Sequence, residues 1–146
     1  MASTPGQAIS QAIYTTLAAD ATIAGLVSGI YEDRPPPIVS MPYVLIRVLP
    51  STPRQTLSLN VAFEEFLVEV TGIDDTQAGS PTIYGERRAV AETIAGRIRA
   101  LLIDAALTVT GYTLMRCRLI QGINYPESDP YVHIGGRFAV TVCAAP

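Results

Sequence analysis

The chain has 146 residues, of which 49% are apolar and 16% are charged, and its formal net charge is −3. A mean hydropathy of +0.31 is too high for a disordered protein, and a pI near 5.0 argues against a general nucleic-acid binder, which would carry a basic stripe. The length predicts one domain over residues 1–146. So little charge indicates either a compact core under an Ala- and Val-rich surface or apolar surface that is covered by partners or by copies of the chain.

The cysteines and the start of the chain indicate the compartment. Cys117 and Cys143 are the only two cysteines, and each lies in a strand-like apolar stretch, where a reduced thiol behaves as a small hydrophobe. The first residues lack the basic and apolar parts of a signal peptide, and no stretch reaches the roughly 18 apolar residues of a membrane helix. We therefore expect folding in a reducing cytoplasm and no membrane partner.

The first third of the chain predicts two helices in tandem or one kinked helix. Over residues 6–18 the apolar residues recur at helical spacing. Asp20 is a good N-cap for a second, short helix over residues 21–27. The proline run at 34–37 then predicts a stiff, extended connection, because proline has no amide donor.

Two strands are predicted next. Residues 42–49 are β-branched and apolar on both sides, which is typical of a strand that is covered on both faces or lies in an interface. Residues 50–60, with two prolines and several turn formers, predict either a mobile hairpin loop or a segment that a partner orders. Residues 62–72 alternate between apolar and acidic, as in a half-buried antiparallel strand, and Asp74 and Asp75 are predicted to lie in the turn that follows.

The longest predicted element is a helix over about residues 80–104. Ser80 is a suitable N-cap, and Pro81 stands at the first helical position, where its missing N–H has no cost. Apolar residues recur at steps of three, four or seven along it, and charged residues fall largely on the other face. An apolar stripe of that length needs a sheet to lie on.

Two further strands are predicted after this helix. They cover residues 112–121 and 131–143, and residues 122–130 form a polar loop between them. Strict alternation in the first of these strands would place Met115, Cys117 and Leu119 on one side. We predict an α+β domain of order α-β-β-α-β-β, with a mainly antiparallel four-stranded sheet and with the N-terminal helix and the long helix packed on one face.

No pattern in the chain predicts catalysis. His133, the only histidine, lies on the polar side of a predicted strand, and no nucleophile is near it in sequence. A Cys117–His133 dyad is the one catalytic alternative. The carboxylates lack calcium-loop spacing, and the glycines form neither a dinucleotide nor a phosphate-loop fingerprint. We expect no enzyme activity, no metal and no cofactor.

The order of features along residues 7–143 resembles the tail-completion, or tail-terminator, proteins of long-tailed bacteriophages and phage-like particles. The features are an N-terminal helix that ends in Leu17–Val27, Gly29-Ile30-Tyr31 before a proline-rich turn, Pro42-Tyr43-Val44 at a strand start, an acidic alternating strand that leads into the long helix, Arg116-Cys117-Arg118-Leu119, and a final strand at Tyr131–Cys143.

This resemblance implies a structural virion protein of the tail or neck, assembled in the host cytoplasm. Such proteins form a homo-oligomeric ring, typically of six copies, at the head-proximal end of the tail tube. The ring stops polymerisation of the tube protein and joins the tail to the connector or stopper of the head. The genomic DNA passes through the lumen without sequence-specific binding, and the net negative charge of this chain is compatible with that passage.

Three groups of residues are predicted to serve this role. The subunit interface would include Tyr43, Leu45, Arg47 and Arg137. The channel or its rim would be lined by Glu64, Glu65, Glu69, Asp74 and Asp75, although these carboxylates could equally be solvent-facing only. The loops at 50–60 and 122–130 would bind partners through Arg54, Gln55, Asn124 and Tyr125.

Two other functions stay open. A different neck or head–tail adaptor would form a ring of other symmetry or would order only on the connector. A small cytoplasmic enzyme or ligand-binding domain would have a concave pocket around His133, Tyr131 and Cys117. If the strand 43–49 lies at a subunit contact, Arg47→Glu should disturb assembly more than folding.

Overall fold

The computed structural model describes residues 4–50, 52–55, 62–75, 81–104, 106–126 and 131–144. In chain order its elements are α1 (Pro5–Ala18), α2 (Ala21–Leu26), β1 (Ile30–Glu32), β2 (Tyr43–Val48), β3 (Thr52–Gln55), β4 (Ala62–Asp75), α3 (Pro81–Leu102), β5 (Tyr112–Pro126) and β6 (Tyr131–Ala144).

Side-chain caps define where the first two helices begin. At α1 the Thr4 hydroxyl accepts from the Gln7 amide, and the Gln7 side chain accepts in return from the Thr4 amide, which forms a capping box. At α2 the Asp20 carboxylate accepts from the Ile23 amide at 3.0 Å. The prediction that Asp20 caps the short helix is confirmed. Ser80, the predicted cap of α3, lies outside the described residues.

The strands form one mixed sheet in the order β1-β2-β4-β6-β5. β1 runs parallel to β2, whereas β2 with β4, β4 with β6 and β5 with β6 are antiparallel pairs. β3 pairs with the first residues of β4, beyond the segment of β4 that β2 occupies. β1 and β5 are therefore the two lateral edges of this sheet.

The helices cover one face of the sheet, which we call the covered face. The core lies there, between the apolar stripes of α1 and α3 and the alternate side chains of β2, β4 and β6. Its fully buried members include Ile9, Ile13, Val44, Val68, Ile94, Ile98, Phe138 and Val140. The opposite face, which we call the open face, has no helix packed on it among the described residues.

The prediction of an α+β fold with a mainly antiparallel sheet and both helices on one face is confirmed, but the predicted number of four strands is wrong. β1 adds a parallel strand at one edge, at residues for which no strand was predicted. β3 adds another strand inside the predicted 50–60 loop. β1 has three residues and β3 has four, so neither is long enough to show a strand periodicity in the sequence. Both strands form because a longer strand pairs with them.

Strand ends and side-chain directions also differ from the predictions. β4 continues to Asp75, because residues 73–75 pair with β6, so the predicted turn at Asp74 and Asp75 is wrong. β5 continues to Pro126 in the same way. β5 also has register shifts at Met115 and Ile120, where one extra residue faces the β6 ladder. Strict alternation therefore fails, and Met115 is exposed instead of packing beside Cys117.

Candidate functional site

A row of polar side chains crosses the middle of the open face. Arg47 of β2 lies opposite Glu69 of β4, Glu69 lies opposite Arg137 of β6, and Arg137 lies opposite Gln121 of β5. Arg137 Nε donates to Glu69 Oε1 at 3.2 Å, so a cross-strand ion pair forms at the centre of the row. Arg47 and Gln121 are exposed at its two ends. The row is an accessible, hydrogen-bonding surface on a rigid sheet.

Beside this row, the connection between β1 and β2 covers part of the open face. Tyr43 and Leu45 pack with Ile73 under Val39 and Met41 of the β1–β2 connection. Tyr43 also meets the ring of Tyr31 edge to face, with the ring centroids 5.8 Å apart. The proline-rich connection is thus folded back onto the sheet.

A small cavity of about 270 Å³ lies between this connection and the polar row. His133 contributes to its wall and is only 6% exposed. His133 lies on the face opposite the helices, the predicted polar side of its strand, but the connection between β1 and β2 shields it from solvent. The other lining residues are Asp33, Pro35, Tyr43, Leu45, Arg47, Glu69 and Thr71.

The structure separates the members of the alternative catalytic dyad. Cys117 lies in the core on the covered face, opposite Val140, whereas His133 lies on the open face. Burial, with a smaller contribution from the nearby Asp104 carboxylate, raises the pKa of the Cys117 thiol to about 11. A protonated thiol across the sheet from the imidazole cannot act as its nucleophile. The side chain of Tyr131, the third residue of that alternative, is not described.

The four predicted interface residues share the open face, but only two of them are accessible. Tyr43 is 7% exposed and Leu45 is 8% exposed, because the chain's own connection covers them. Arg47 is exposed, and the side chain of Arg137 keeps 35% of its surface exposed despite its ion pair. A contact in this region would therefore meet the polar row, and the apolar strand beside it is already covered.

The five predicted channel residues do not form one acidic patch. Glu65 and Glu69 lie on the open face, whereas Glu64 and Asp74 lie opposite Val142 and Val132 on the covered face. Asp74 is only 2% exposed, and Asp75 is described by its backbone alone. The register explains the split, because neighbouring residues of a strand point to opposite faces.

The open face is basic where its side chains are described. Across β2, β4, β5 and β6 it carries four arginines against two glutamates, namely Arg47, Arg116, Arg118 and Arg137 against Glu65 and Glu69. The acidic surface expected of a channel that lets DNA slide is therefore not found on this face.

The predicted partner-binding residues lie in strands. Arg54 and Gln55 belong to β3, where their backbones lie opposite Phe63 and Ala62. Asn124 and Tyr125 belong to β5, opposite Ile134 and His133. Gly122 and the prolines around these segments predicted loops, but pairing with long neighbouring strands overrides that local preference.

The structure also places side chains at the surface that the sequence did not single out. The extra residues of the two β5 bulges, Met115 and Ile120, are large, apolar and exposed. Residue spacing in the sequence does not predict them, because a bulge is defined by how the strand pairs with its neighbour.

Within the part of the chain that the structure describes, no three His, Cys, Asp or Glu side chains are placed to hold a metal ion. None of the described helices has the length and apolar character needed to cross a membrane.

The fold has a counterpart among solved virion structures. A chain from the virion of a native gene transfer agent particle superposes with a TM-score of 0.72, and the match covers 98% of this chain and 100% of that one. The two sequences are 22% identical, so the likeness shows a shared fold. This is an α+β fold that serves in a phage-like particle.

The sequence itself identifies the family. Residues 11–142 match the family described as Tail completion protein gp17, and the chain belongs to that family. The resemblance noted in the sequence is thereby confirmed, and the chain is a structural tail or neck protein of a phage or phage-like virion. No curated protein matches it.

Proposed function

We propose that this chain is a tail terminator, one subunit of a ring, typically of six copies, that binds the head-proximal end of the tail tube. Binding would end polymerisation of the tube protein and present a surface to the connector or stopper of the head. The genome would pass through the lumen. Membership of the tail completion family carries this proposal, since completion of a tail requires a protein that recognises its end.

Composition and fold support a ring-forming subunit. The chain combines 49% apolar residues with 16% charged residues, which is little charge for a subunit that exposes its whole surface. A sheet with one face on which no described helix packs, and with two lateral edges, offers several surfaces for repeated contacts. In a closed ring each subunit uses two different surfaces, one toward each neighbour.

The test is a tube-capping assay. Tail-tube protein of the same particle is polymerised with and without the purified chain, and tube lengths and tube ends are examined by negative-stain electron microscopy. We expect tubes of restricted length with a ring of density at one end. Tubes of unchanged length with bare ends would overturn the proposal, and a chain that binds purified connector but ignores tube ends would be a neck adaptor instead.

A further inference from the structure

Most of the exposed large apolar side chains lie near β5 or in the connection that follows β1. Five such residues are exposed in the described part: three lie at the β5 side, Ile38 lies in the β1–β2 connection, and Tyr14 lies on α1. Ile38, in the connection that leaves β1, is 93% exposed. Ile103, Met115 and Ile120 lie at the β5 side. Apolar groups left in water at defined edges are typical of surfaces that a partner covers.

The β5 edge is basic. Arg116 and Arg118 are exposed on β5, between the bulge residues Met115 and Ile120. The end of α3 lies beside them, because the Asp104 amide donates to the Cys117 carbonyl at 3.0 Å. Two arginines against the exposed Asp104 leave a net charge of +1 among these residues. We call Ile103, Met115, Arg116, Arg118 and Ile120 the basic edge.

The β1 edge is acidic. Glu32 ends β1, Asp33 follows it, and both are exposed. They lie at the start of the connection that carries Ile38. Two carboxylates against the exposed Arg34 leave a net charge of −1 among these residues. We call Glu32, Asp33 and Ile38 the acidic edge.

We propose that the basic edge of one subunit packs against the acidic edge of a second copy of this chain. The proposal rests on the ring of the proposed function and names its subunit contact. The two edges are separated by four strand spacings, or about 19 Å, on opposite sides of the sheet. Opposite charges at opposite edges favour head-to-tail contact, and an edge paired with its own copy would bring like charges together.

The bulges explain why side chains, and not β-strand pairing, carry this contact. A 15-residue edge strand would otherwise be a template for another strand. In β5 two bulges interrupt the edge, and the amide of Asp104 occupies the Cys117 carbonyl. The basic edge therefore presents its apolar groups and arginines in place of a free backbone ladder.

Charge reversal tests the contact in the tube-capping assay. One variant, Arg116→Glu with Arg118→Glu, makes both edges acidic. The other, Glu32→Arg with Ile38→Arg, makes both edges basic and leaves Asp33 with its φ of 58° in place. All four substituted residues are exposed, so both variants should fold, and thermal melting checks this. Each variant alone should reduce the number of capped tube ends by at least about tenfold, because like charges then meet at every contact.

A mixture of the two variants is the decisive arm. In a ring of alternating variants every contact again joins a basic edge to an acidic one, so the mixture in equal amounts should restore capping. Failure of the mixture, with both variants folded, would overturn the pairing of these edges. Arg47→Glu tests the alternative contact at the polar row of the open face, because Arg47 is an exposed residue of that row. Glu92→Arg is the matched control, since it reverses an exposed charge of α3 that belongs to neither edge.

The open-face variant and the wild type separate the two proposals. If the wild-type chain caps tubes and the edge variants cap as well as it does, the edge contact is wrong and the terminator function stands. If Arg47→Glu alone abolishes capping, the contact lies on the open face and the edge proposal is wrong. If the wild type leaves tube ends bare, the terminator function itself is wrong, and this contact falls with it.

Discussion

The two faces of the same sheet are built on different principles. On the covered face, most alternate residues of β2, β4 and β6 are Val, Ile or Phe and are buried against α1 and α3. On the open face, the same strands carry the polar row around Glu69 and Arg137. One face therefore supplies most of the free energy of folding, and the other can vary its chemistry at little cost in stability.

The largest expected difference between the two regions is the response to truncation of an isoleucine. Ile98 of α3 is fully buried against the sheet, so Ile98→Ala should destabilise the chain by about 2–5 kcal/mol. Ile103, one turn beyond it, is 42% exposed, and Ile103→Ala should cost less than about 0.5 kcal/mol. Urea unfolding of the two variants measures both values. Equal losses would contradict the division between core and surface.

The two thiols report on the same two faces. Burial raises the pKa of Cys117 to about 11, whereas Cys143 is half-buried, with its Sγ 3.7 Å from Met115 Sδ. Near pH 8 we expect Cys117 to be alkylated at least about 100-fold more slowly than Cys143. Timed alkylation followed by mass spectrometry of the peptides measures the ratio.

Cys143→Ser is the matched control for this experiment. The remaining thiol, Cys117, should react slowly in the folded chain and rapidly in denaturant. Rapid labelling of Cys117 in the folded variant would mean that α3 opens readily from the sheet.

Two glycines sharpen the contrast between the sheet and the helix surface. A Cβ at Gly135 would lie within 2.7 Å of the Thr71 Cα and closer still to the Val70 carbonyl, both of them backbone atoms. Gly135→Ala should therefore destabilise the chain by about 1–3 kcal/mol or more. A Cβ at Gly96, on the exposed side of α3, would meet nothing within 4 Å, so Gly96→Ala should stabilise by about 0.5–1 kcal/mol. Thermal unfolding distinguishes the opposite signs, and two shifts of the same sign would contradict the packing described here.

Sequence reasoning succeeds where the signal is local. The N-cap at Asp20 and the apolar stripe of α3 each depend on residues within a few turns, and the structure confirms them. The alternation of β6 also holds, since Val132 and Phe138 both lie in clusters on the covered face. These elements are the scaffold that positions the open face.

Sequence reasoning fails where a distant partner decides. The strand β3 contains Pro53 and turn formers, yet it pairs with β4, and β5 runs through Gly122 because β6 lies beside it. Burial of His133 depends on a connection about a hundred residues earlier in the chain. The proposed basic edge was missed for the same reason, because the bulges at Met115 and Ile120 exist only relative to β6.

The smallest expected effect concerns an ion pair that joins two helices of the covered face. Arg97 of α3 reaches Asp20, the N-cap of α2, with its Nε 3.1 Å from each carboxylate oxygen. The hydrogen-bonded Arg97 guanidinium, helped by the Ile23 amide, lowers the pKa of Asp20 from 3.8 to about 2. A lowered pKa in the folded chain means that the pair stabilises above about pH 4 and that this contribution is lost as the pH falls toward about 2.

Asp20→Asn isolates that contribution, because an asparagine side chain can still accept from the Ile23 amide and cap α2 but carries no charge for Arg97. Urea midpoints of both chains, taken in steps from about pH 5 to about pH 2, should converge as the pH falls. The wild-type midpoint should fall more steeply with pH, because only the wild type loses the Asp20 contribution. The other carboxylates are common to both chains, so their effects cancel in the difference. Parallel curves would mean that Arg97 gives the folded chain no pH-dependent stability, and that packing and the cap alone hold α2 against α3.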